Sequence, residues 1–377
     1  MPSVLHICTD FWPNTGGIES FVLNLAKHSM ANGLQASVLC FNRVSNMAKK
    51  LPANEEVEGI PVTRVPYLDL KFYKPSWLPL SLMRQHDLIH VHGIGAPLDY
   101  TVMTKILHRR PILVSTHGGI FHTDTLLWLK KIYFFGMVKL TLKAVNMTIA
   151  CSKSDKRLFS SVTKHMTLIE NAVDIGAHLK LPLNQKIRGR CLYVGRLSEN
   201  KGIPALLNAF SIAKQLGSSF ELRLVGPDRE SKSGEYKQLA RMLDIEEEVQ
   251  FIGEVSSEAL LLEYQQAENF VSASEYEGFG LSALEAKAAG CRLLLQANEA
   301  FTSLFNTDER VQLFDFSHSQ SAGQIIHEIL SKAPASDEMA ERQLTESYSW
   351  EHKIHDWLAL YKRYEQQPPL ITRLHSD

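Results

Sequence analysis

Short apolar runs alternate with longer segments of helical periodicity along the first half of the chain. The apolar runs lie at residues 4–8, 36–41, 62–65, 88–91, 112–115 and 147–150, and an amphipathic pattern such as that over residues 18–31 follows the first of them. Strands that alternate with helices predict βαβ units and a mostly parallel sheet.

The same pattern restarts after a polar stretch at residues 170–189, which contains the breakers Pro182 and Asn184. New apolar runs follow at residues 191–194, 221–225, 249–252, 269–272, 291–295 and 311–314. We therefore predict two doubly wound α/β domains, residues 1–172 and 173–349, with ligands at the carboxyl ends of the strands in a cleft between the sheets.

A last helix is predicted over residues 350–366. It carries Trp357, Leu358, Leu360 and Tyr361 on one face, which must pack against a domain. Residues 350–377 thus form a separate closing segment, and the tail from Pro368 has little reason to be ordered.

Composition indicates a soluble globular protein, with 45% hydrophobic and 21% charged residues among 377. No basic leader or cleavage site precedes Val4, so we expect no signal peptide and a cytoplasmic protein. The five cysteines are scattered, odd in number and lack a CxxC pair, which predicts free buried thiols and no zinc site.

Charge is divided unevenly between the two predicted domains. The whole chain has a net charge of −1, but residues 1–172 carry +8 and the remainder −9. A basic first domain suggests an anionic partner for that domain alone. Nucleic acid is a poor candidate, because the basic residues are spread out and the pI is about 7.0.

Residues 126–145 are apolar on nearly every side yet contain several lysines. The longest uncharged run, residues 132–138, is far shorter than the roughly 20 residues that a spanning helix needs. Lysines among aromatic residues suit the lipid headgroup layer, although a core helix with snorkelling lysines is the alternative. With the basic charge of this domain, we expect contact with a membrane or acceptor at Lys71, Trp77, Trp128, Lys130, Lys131 and Lys139.

Two carboxylates, Glu277 and Glu285, flank a Gly-Phe-Gly sequence and the start of an Ala/Leu-rich helix. Backbone N–H groups left bare at a helix start attract anions, phosphate above all. A phosphate-binding helix end between two carboxylates suits a ligand with a diphosphate and several hydroxyls, such as a nucleotide sugar.

A basic pair lies in the turn after the first strand of the second domain. Arg196 and Lys201 are delivered there, between Gly195 and Gly202, to the carboxyl end of that strand. A planar guanidinium and a lysine point charge together suit a diphosphate.

The loop after the first strand of the chain contains Gly16 and Gly17 just before a helix, where the backbone can approach a ligand closely. The GxGxxG fingerprint is absent, and the loop contains bulky Phe11 and Trp12. This argues against an NAD-dependent oxidoreductase.

His117 follows the strand at residues 112–115 and precedes two glycines, a pattern that favours a site residue over a structural one. His90 and His92 alternate along a strand and should share one face. No nearby carboxylate or thiolate supplies a third ligand, so we expect no metal site.

These motifs together resemble the retaining glycosyltransferases of the GT-B fold, family 4 group. The E-x7-E element is met by Glu277 and Glu285, the G-R-x4-K-G element by residues 195–202, and the N-terminal glycine loop by Gly16 and Gly17. The likeness runs from about residue 4 to about residue 362. Residues 115–123 and 348–353 look most like bacterial exopolysaccharide α-mannosyltransferases, which use GDP-mannose and a polyprenyl-diphosphate-linked cellobiose.

The resemblance implies two Rossmann-like domains facing each other across a cleft, with the last helix crossing back to the first domain. It implies that His117 and Glu277 are the catalytic residues, in contact with the sugar, and that Glu285 binds the ribose hydroxyls. The implied donor-binding residues are Gly16, Gly17, Arg196, Lys201, Phe279, Gly280, Leu281 and Glu285.

The implied reaction is front-face attack by an acceptor hydroxyl with retention of configuration, without a cofactor or divalent metal. The implied partners are a nucleotide sugar, a lipid-linked oligosaccharide and the inner face of the cell membrane. Alternatives are a UDP-sugar or another acceptor, an epimerase or phosphorylase on the same fold, and a non-enzymatic nucleotide-sugar-binding or lipid-binding scaffold.

Overall fold

The computed structural model describes residues 2–14, 16–43, 50–70, 73–118, 127–174, 185–306, 308, 310–332 and 346–365. The chain divides into two compact units. Unit 1 comprises Met1–Ala172 with Trp350–Asp377, and unit 2 comprises Val173–Ser349. No helix among the described residues is both long enough and apolar enough to cross a bilayer.

Unit 1 is built on an eight-stranded sheet of order β3-β4-β2-β1-β5-β6-β7-β8, parallel except for the β3–β4 pair. Its strands are β1 Ser3–Ile7, β2 Gln35–Phe41, β3 Asn54–Val57, β4 Ile60–Val65, β5 Leu88–His92, β6 Ile112–Ser115, β7 Met147–Ala150 and β8 Met166–Leu168. Its helices are α1 Gly17–Ala31, α2 Leu80–Gln85, α3 Ala96–Met103, α4 Lys105–His108, α5 Leu127–Tyr133, a π-helical turn Phe134–Val138, α6 Lys139–Ala144 and α7 Lys153–Phe159.

Unit 2 is built on a parallel six-stranded sheet of order β11-β10-β9-β12-β13-β14. Its strands are β9 Ile187–Val194, β10 Glu221–Val225, β11 Val249–Gly253, β12 Ala267–Ser272, β13 Arg292–Gln296 and β14 Val311–Phe314. Its helices are a 3₁₀ turn Glu199–Lys201, α8 Ile203–Gln215, α9 Ser233–Met242, α10 Ser257–Gln266, α11 Leu281–Ala288, α12 Glu299–Phe305 and α13 Ser319–Ser331. The last helix of the described residues, α14 Trp350–Glu365, belongs to unit 1.

Each sheet is buried on both faces. Along β1, Val4 packs into one hydrophobic cluster and its neighbour Leu5 into another, because successive strand residues point to opposite faces. Unit 2 has the same arrangement, with Cys191 and Leu192 in separate clusters. Both units therefore have three layers, with the sheet between two layers of helices. In such a fold, binding and catalytic residues lie in the loops that follow the carboxyl ends of the strands.

The last helix, α14, completes the core of unit 1. Trp350 and Trp357 are buried beside Phe21 of α1, at ring-centroid distances of 5.3 and 5.6 Å. This confirms that the closing segment crosses back to the first domain and explains its apolar face. All five cysteines are buried and free, as the sequence predicts.

Candidate active site

The two motifs of unit 2 meet because β9 and β12 are neighbours in the sheet. The loop after β9 carries Arg196 and Lys201, and the loop after β12 carries Glu277. The loops are linked by a hydrogen bond from the Glu275 amide to the Asn200 carbonyl, at 3.3 Å. The Asn298 side chain also holds the second loop, donating to the Ser274 carbonyl at 2.8 Å.

Two glycines permit this close approach. Gly202 has a φ of +64°, and a Cβ there would lie 2.2 Å from the Ala273 carbonyl oxygen in the neighbouring loop. Gly280 has a φ of +97° and caps α11, where a Cβ would lie 2.8 Å from the Phe301 ring. Only glycine meets both the backbone conformation and the space at these positions.

Lys201 and Glu277 form an ion pair across the two loops. Lys201 Nζ lies 2.6 Å from Glu277 Oε1, and the side chains are only 15% and 17% exposed. Since an ammonium has three donor hydrogens, Lys201 can keep this contact and still donate to a phosphate. Arg196, by contrast, is exposed, and its backbone carbonyl accepts a hydrogen bond from the Tyr193 hydroxyl at 2.9 Å.

The N-terminus of α11 lies directly after this loop. Gly280 is the N-cap residue and offers no side-chain hydrogen bond to the helix. Phe279 is buried, and Leu281 begins the helix. The first intrahelical bond comes from the Ala283 amide to the Gly280 carbonyl at 3.1 Å, so the N–H groups before it have no partner within the helix and form an end that attracts anions, in the loop whose Glu277 contacts Lys201.

Glu285 lies one turn further along α11 and has different surroundings from Glu277. Its Oε2 accepts a hydrogen bond from the Tyr264 hydroxyl at 2.7 Å. Burial, with a smaller contribution from nearby Asp174, raises the pKa of the Glu285 carboxyl to about 7 against the opposing effect of the Tyr264 hydrogen bond. Near neutral pH the group is thus partly protonated, so it can both donate and accept hydrogen bonds.

In unit 1, Gly16 and Gly17 lie where the sequence places them, at the cap and first residue of α1. The preceding loop is closed by hydrogen bonds from the Asn14 side chain to Asp10 Oδ1 at 3.1 Å and from the Asn14 amide to the Phe11 carbonyl at 3.1 Å.

His117 lies just past β6, as predicted, with a left-handed φ of +46°. Asp155 of α7 holds the backbone on either side, accepting from Thr116 Oγ1 at 2.5 Å and from the Gly118 amide at 2.9 Å. Sequence reasoning missed Asp155. The only available signal is its position in the first turn of a helix capped by Ser152.

The histidines of β5 are part of a larger group. His90 and His92 share one face, with ring centroids 4.1 Å apart, as predicted. The sequence predicts no carboxylate or thiolate as a third ligand, and the group that the structure shows is completed by a third buried imidazole, His6 of β1, with one ligand atom from each ring within 4.8 Å of the others. Both nitrogens of His90 are occupied, by Tyr361 Oη at 2.7 Å and Ser115 Oγ at 2.8 Å. His6 was missed because it stands alone in its strand sequence.

The segment from α5 to α6 is partly core and partly surface. Phe134, Val138 and Leu142 are buried. The opposite side exposes a group that we call the apolar face: Trp128, Ile132, Phe135 and Leu140.

The lysines predicted around this segment differ in exposure. Lys131 and Lys139 are exposed, as is Trp77 outside the segment. Lys130 is a correction: it is only 4% exposed and cannot reach a membrane or an acceptor at the surface. Its position could not be told from the sequence, since the segment is apolar on nearly every side. Lys71 lies outside the described residues.

Comparison with known proteins identifies the family. Residues 15–176 match the model "Glycosyltransferase Family 4", and residues 182–345 match "Glycosyl transferases group 1". A GDP-mannose:cellobiosyl-diphosphopolyprenol alpha-mannosyltransferase of Xanthomonas campestris is 30% identical over 95% of this chain and 96% of its own. The chain belongs to the family 4 glycosyltransferases. A protein of the same name from Komagataeibacter xylinus is 28% identical over 96% of this chain and 93% of its own.

Solved structures agree on the fold of this glycosyltransferase. Sucrose-phosphate synthase from Thermosynechococcus elongatus superposes with a TM-score of 0.76 at 19% identity, covering 96% of this chain and 99% of that one. Anabaena Alr3699/HepE, solved with UDP and glucose, gives 0.75 at 16% identity, covering 96% and 100%. Both are GT-B glycosyltransferases, so the predicted fold class is confirmed.

Proposed function

We propose that this glycosyltransferase moves mannose from GDP-mannose to a polyprenyl-diphosphate-linked oligosaccharide in exopolysaccharide assembly, with retention of the α configuration. The donor and acceptor are those named for the relatives that match over nearly the whole chain. The observation in the structure that carries the proposal is the contact between Lys201 and Glu277 beside the start of α11.

This arrangement suits a diphosphate joined to a sugar. Phosphate oxygens accept from the Lys201 ammonium and from the first N–H groups of α11, while the Glu277 carboxylate accepts from sugar hydroxyls. Arg196 is exposed and reaches the outer phosphate as a planar donor. Glu285, with its raised pKa of about 7, binds the ribose hydroxyls as donor or acceptor.

The proposed reaction depends on stabilising the negative charge that develops on the departing diphosphate. The bond from C1 of the sugar to the diphosphate oxygen breaks, and the negative charge that develops on that oxygen is stabilised by Lys201, Arg196 and the helix end. The acceptor hydroxyl attacks C1 from the same face, and its proton passes to the departing phosphate oxygen. Because these protein groups supply the positive charge, we propose that no divalent cation takes part.

The proposal is tested by a donor screen with the purified protein and a polyprenyl-diphosphate-linked cellobiose acceptor. We expect transfer from GDP-mannose at least 100-fold faster than from UDP-glucose or UDP-galactose, undiminished by EDTA, because the site is expected to select both base and sugar. The product linkage is read by NMR. Transfer from a UDP-sugar alone would replace the donor assignment, a β-linked product would exclude front-face attack, and inactivation by EDTA would show that a cation is needed.

We also propose that unit 1 binds the cytoplasmic surface of the membrane. The apolar face exposes Trp128 and Leu140 by 66% each, Ile132 by 62% and Phe135 by 57%. Exposed Lys131 and Lys139 lie in the same segment, where their ammonium groups can pair with lipid phosphates. A lipid-linked acceptor would be met at this surface.

The double substitution Trp128→Glu, Ile132→Glu should weaken binding to vesicles containing anionic phospholipid about 100-fold. Losing the burial of two large apolar side chains costs about 3 kcal/mol or more, and two added negative charges repel the surface. Vesicle co-sedimentation measures the effect. Met242→Glu is the matched control, since Met242 is 76% exposed in unit 2; equal binding by both variants would contradict the assignment.

A further inference from the structure

Three imidazoles of unit 1, two of them buried (His6 and His92) and one half-buried (His117), form a continuous line that the proposed reaction does not use. His6 Nδ1 lies 3.0 Å from His92 Nε2, and His92 Nδ1 lies 3.2 Å from His117 Nε2. The three residues come from β1, β5 and the end of β6, which are consecutive in the sheet. We call this line the histidine chain.

Neutral imidazole has one N–H and one lone pair, so every nitrogen–nitrogen contact needs one donor and one acceptor. Burial lowers the pKa of His6 and of His117 to about 3, and lowers that of His92 well below its usual value. All three rings are therefore neutral near pH 7. The hydrogen bonds of the histidine chain can then be ordered in only two ways. Either every N–H group donates toward His117, or every N–H group donates toward His6.

The surroundings of His6, at the end of the histidine chain away from His117, favour one of these two directions. His6 Nε2 is buried and has no hydrogen-bond partner among the described residues. If the protons faced His6, this nitrogen would be an N–H donor buried without an acceptor, which costs about 1–3 kcal/mol. The opposite direction leaves only a lone pair unpaired at this nitrogen, and among buried backbone groups unpaired N–H donors are rarer than unpaired acceptors.

We propose that His6 and His92 are positioning residues that fix His117 as the Nδ1–H tautomer. His6 Nδ1–H donates to His92 Nε2, and His92 Nδ1–H donates to His117 Nε2. The Nδ1–H of His117 is then left to donate at the carboxyl edge of β6. The ring is held in place by the edge of Phe21, at a centroid distance of 5.0 Å.

A fixed Nδ1–H has a chemical consequence that rests on the proposed function. His117 meets its ligand as a hydrogen-bond donor to an oxygen, such as a sugar hydroxyl, and does not act as a base through that nitrogen. The neighbouring His90 lies outside the chain, because its nitrogens contact Tyr361 and Ser115.

The tautomer can be observed without any turnover. We expect long-range ¹H–¹⁵N NMR of ¹⁵N-histidine-labelled protein at pH 7 to show His117 protonated at Nδ1 and unprotonated at Nε2, with His117→Gln giving the assignment. A His117 ring protonated at Nε2 would overturn the proposal. This measurement needs neither the nucleotide sugar nor the acceptor substrate. Its outcome therefore tests the tautomer independently of the proposed function.

Two variants of His6 test the far end of the chain. His6→Asn keeps an amide N–H near the Nδ1 position and should leave the His117 tautomer unchanged. His6→Leu removes the donor, so His117 should become a mixture of tautomers. His90→Asn, equally buried but outside the chain, is the control, and thermal melting checks that each variant folds.

Kinetics and metal titration complete the test. In His6→Leu we expect kcat for transfer to fall about 10-fold, with KM for the nucleotide sugar unchanged, and in His6→Asn to stay near the parent value. An unaltered His117 tautomer in folded His6→Leu would overturn the proposal. So would stoichiometric Zn²⁺ shifting the His6 and His92 signals, because the imidazoles would then be metal ligands.

Discussion

Lys201→Ala should lower kcat/KM for mannosyl transfer by about 100-fold to 1,000-fold, the usual loss when one group that stabilises developing charge is removed. Lys201 Nζ is the cation held beside the start of α11 by Glu277, at 2.6 Å. Without it, the departing diphosphate loses its best-placed positive charge, because Arg196 is exposed and screened by solvent. Initial rates with GDP-mannose and the lipid-linked acceptor measure the loss.

The substitution also leaves Glu277 unpaired in a mostly buried position, which costs stability. The double variant Lys201→Ala, Glu277→Gln removes that charge, so it should regain thermal stability but not activity. Lys214→Ala is the matched control, since Lys214 pairs with Glu248 at 2.9 Å elsewhere in unit 2; its rate should stay within about twofold. Near-normal turnover by folded Lys201→Ala would remove the diphosphate assignment.

Much of this fold follows from the hydrophobic pattern, because buried parallel strands read as short apolar runs. Among the described residues, the pattern misses two strands, β3 and β8, and both lie at the edges of the unit 1 sheet. β3 contains Asn54, Glu55 and Glu56 and pairs only with β4, so it needs no apolar face. Its hairpin turn places Glu58 and Gly59 at φ values of 49° and 83°, without the Asn-Gly sequence that usually marks such a turn.

The sequence names candidate site residues one by one, but it does not predict which of them pair. Lys201 and Glu277 are separated by 76 residues, and their contact depends on β9 and β12 being neighbours. That strand order is a property of the whole doubly wound sheet and leaves no mark on either motif. The separate roles of the two glutamates likewise come from their partners, Lys201 and Tyr264.

The histidine chain is a second case in which the sequence does not predict which side chains pair. His90 and His92 are visible as an alternating pair, whereas His6 lies alone in an apolar strand and is joined to His92 only through the pairing of β1 with β5. A buried histidine is unremarkable in sequence. The role of a buried histidine depends on which of its ring nitrogens forms a hydrogen bond, and only the positions of the side chains show this.

These buried imidazoles should make unit 1 strongly sensitive to acid. The pKa of His6 is lowered to about 3, and those of His90 and His92 lie well below 6.5, because burial disfavours the charged form. On unfolding, each ring regains an ordinary pKa and takes up a proton below about pH 6.5. The stability that they contribute is therefore complete above that pH and is lost as the pH falls toward 3.

The free energy of unfolding of unit 1 should depend strongly on pH. Each fully depressed histidine contributes a slope of about 1.4 kcal/mol per pH unit below pH 6.5. For His6, whose pKa is about 3 in the folded protein, the free energy of unfolding falls by about 2 kcal/mol between pH 7 and 5, and burial of His90, His92 and His117 acts in the same direction. In unit 2 the raised pKa of Glu285, about 7, has the opposite sign: its ionisation costs stability as pH rises, so acidification to pH 5 is mildly stabilising there.

Tryptophan fluorescence separates the two units, because all five tryptophans belong to unit 1. We expect the urea midpoint followed by fluorescence to fall steeply from pH 7 to 5, while calorimetry shows a second transition that does not fall. His6→Asn should reduce the slope by about 1.4 kcal/mol per pH unit, one histidine's share. His165→Asn, at an exposed position, should leave it unchanged. A fluorescence midpoint that stays constant over this range would mean that the buried imidazoles gain protons within the folded unit, and the neutral histidine chain would have to be abandoned with it.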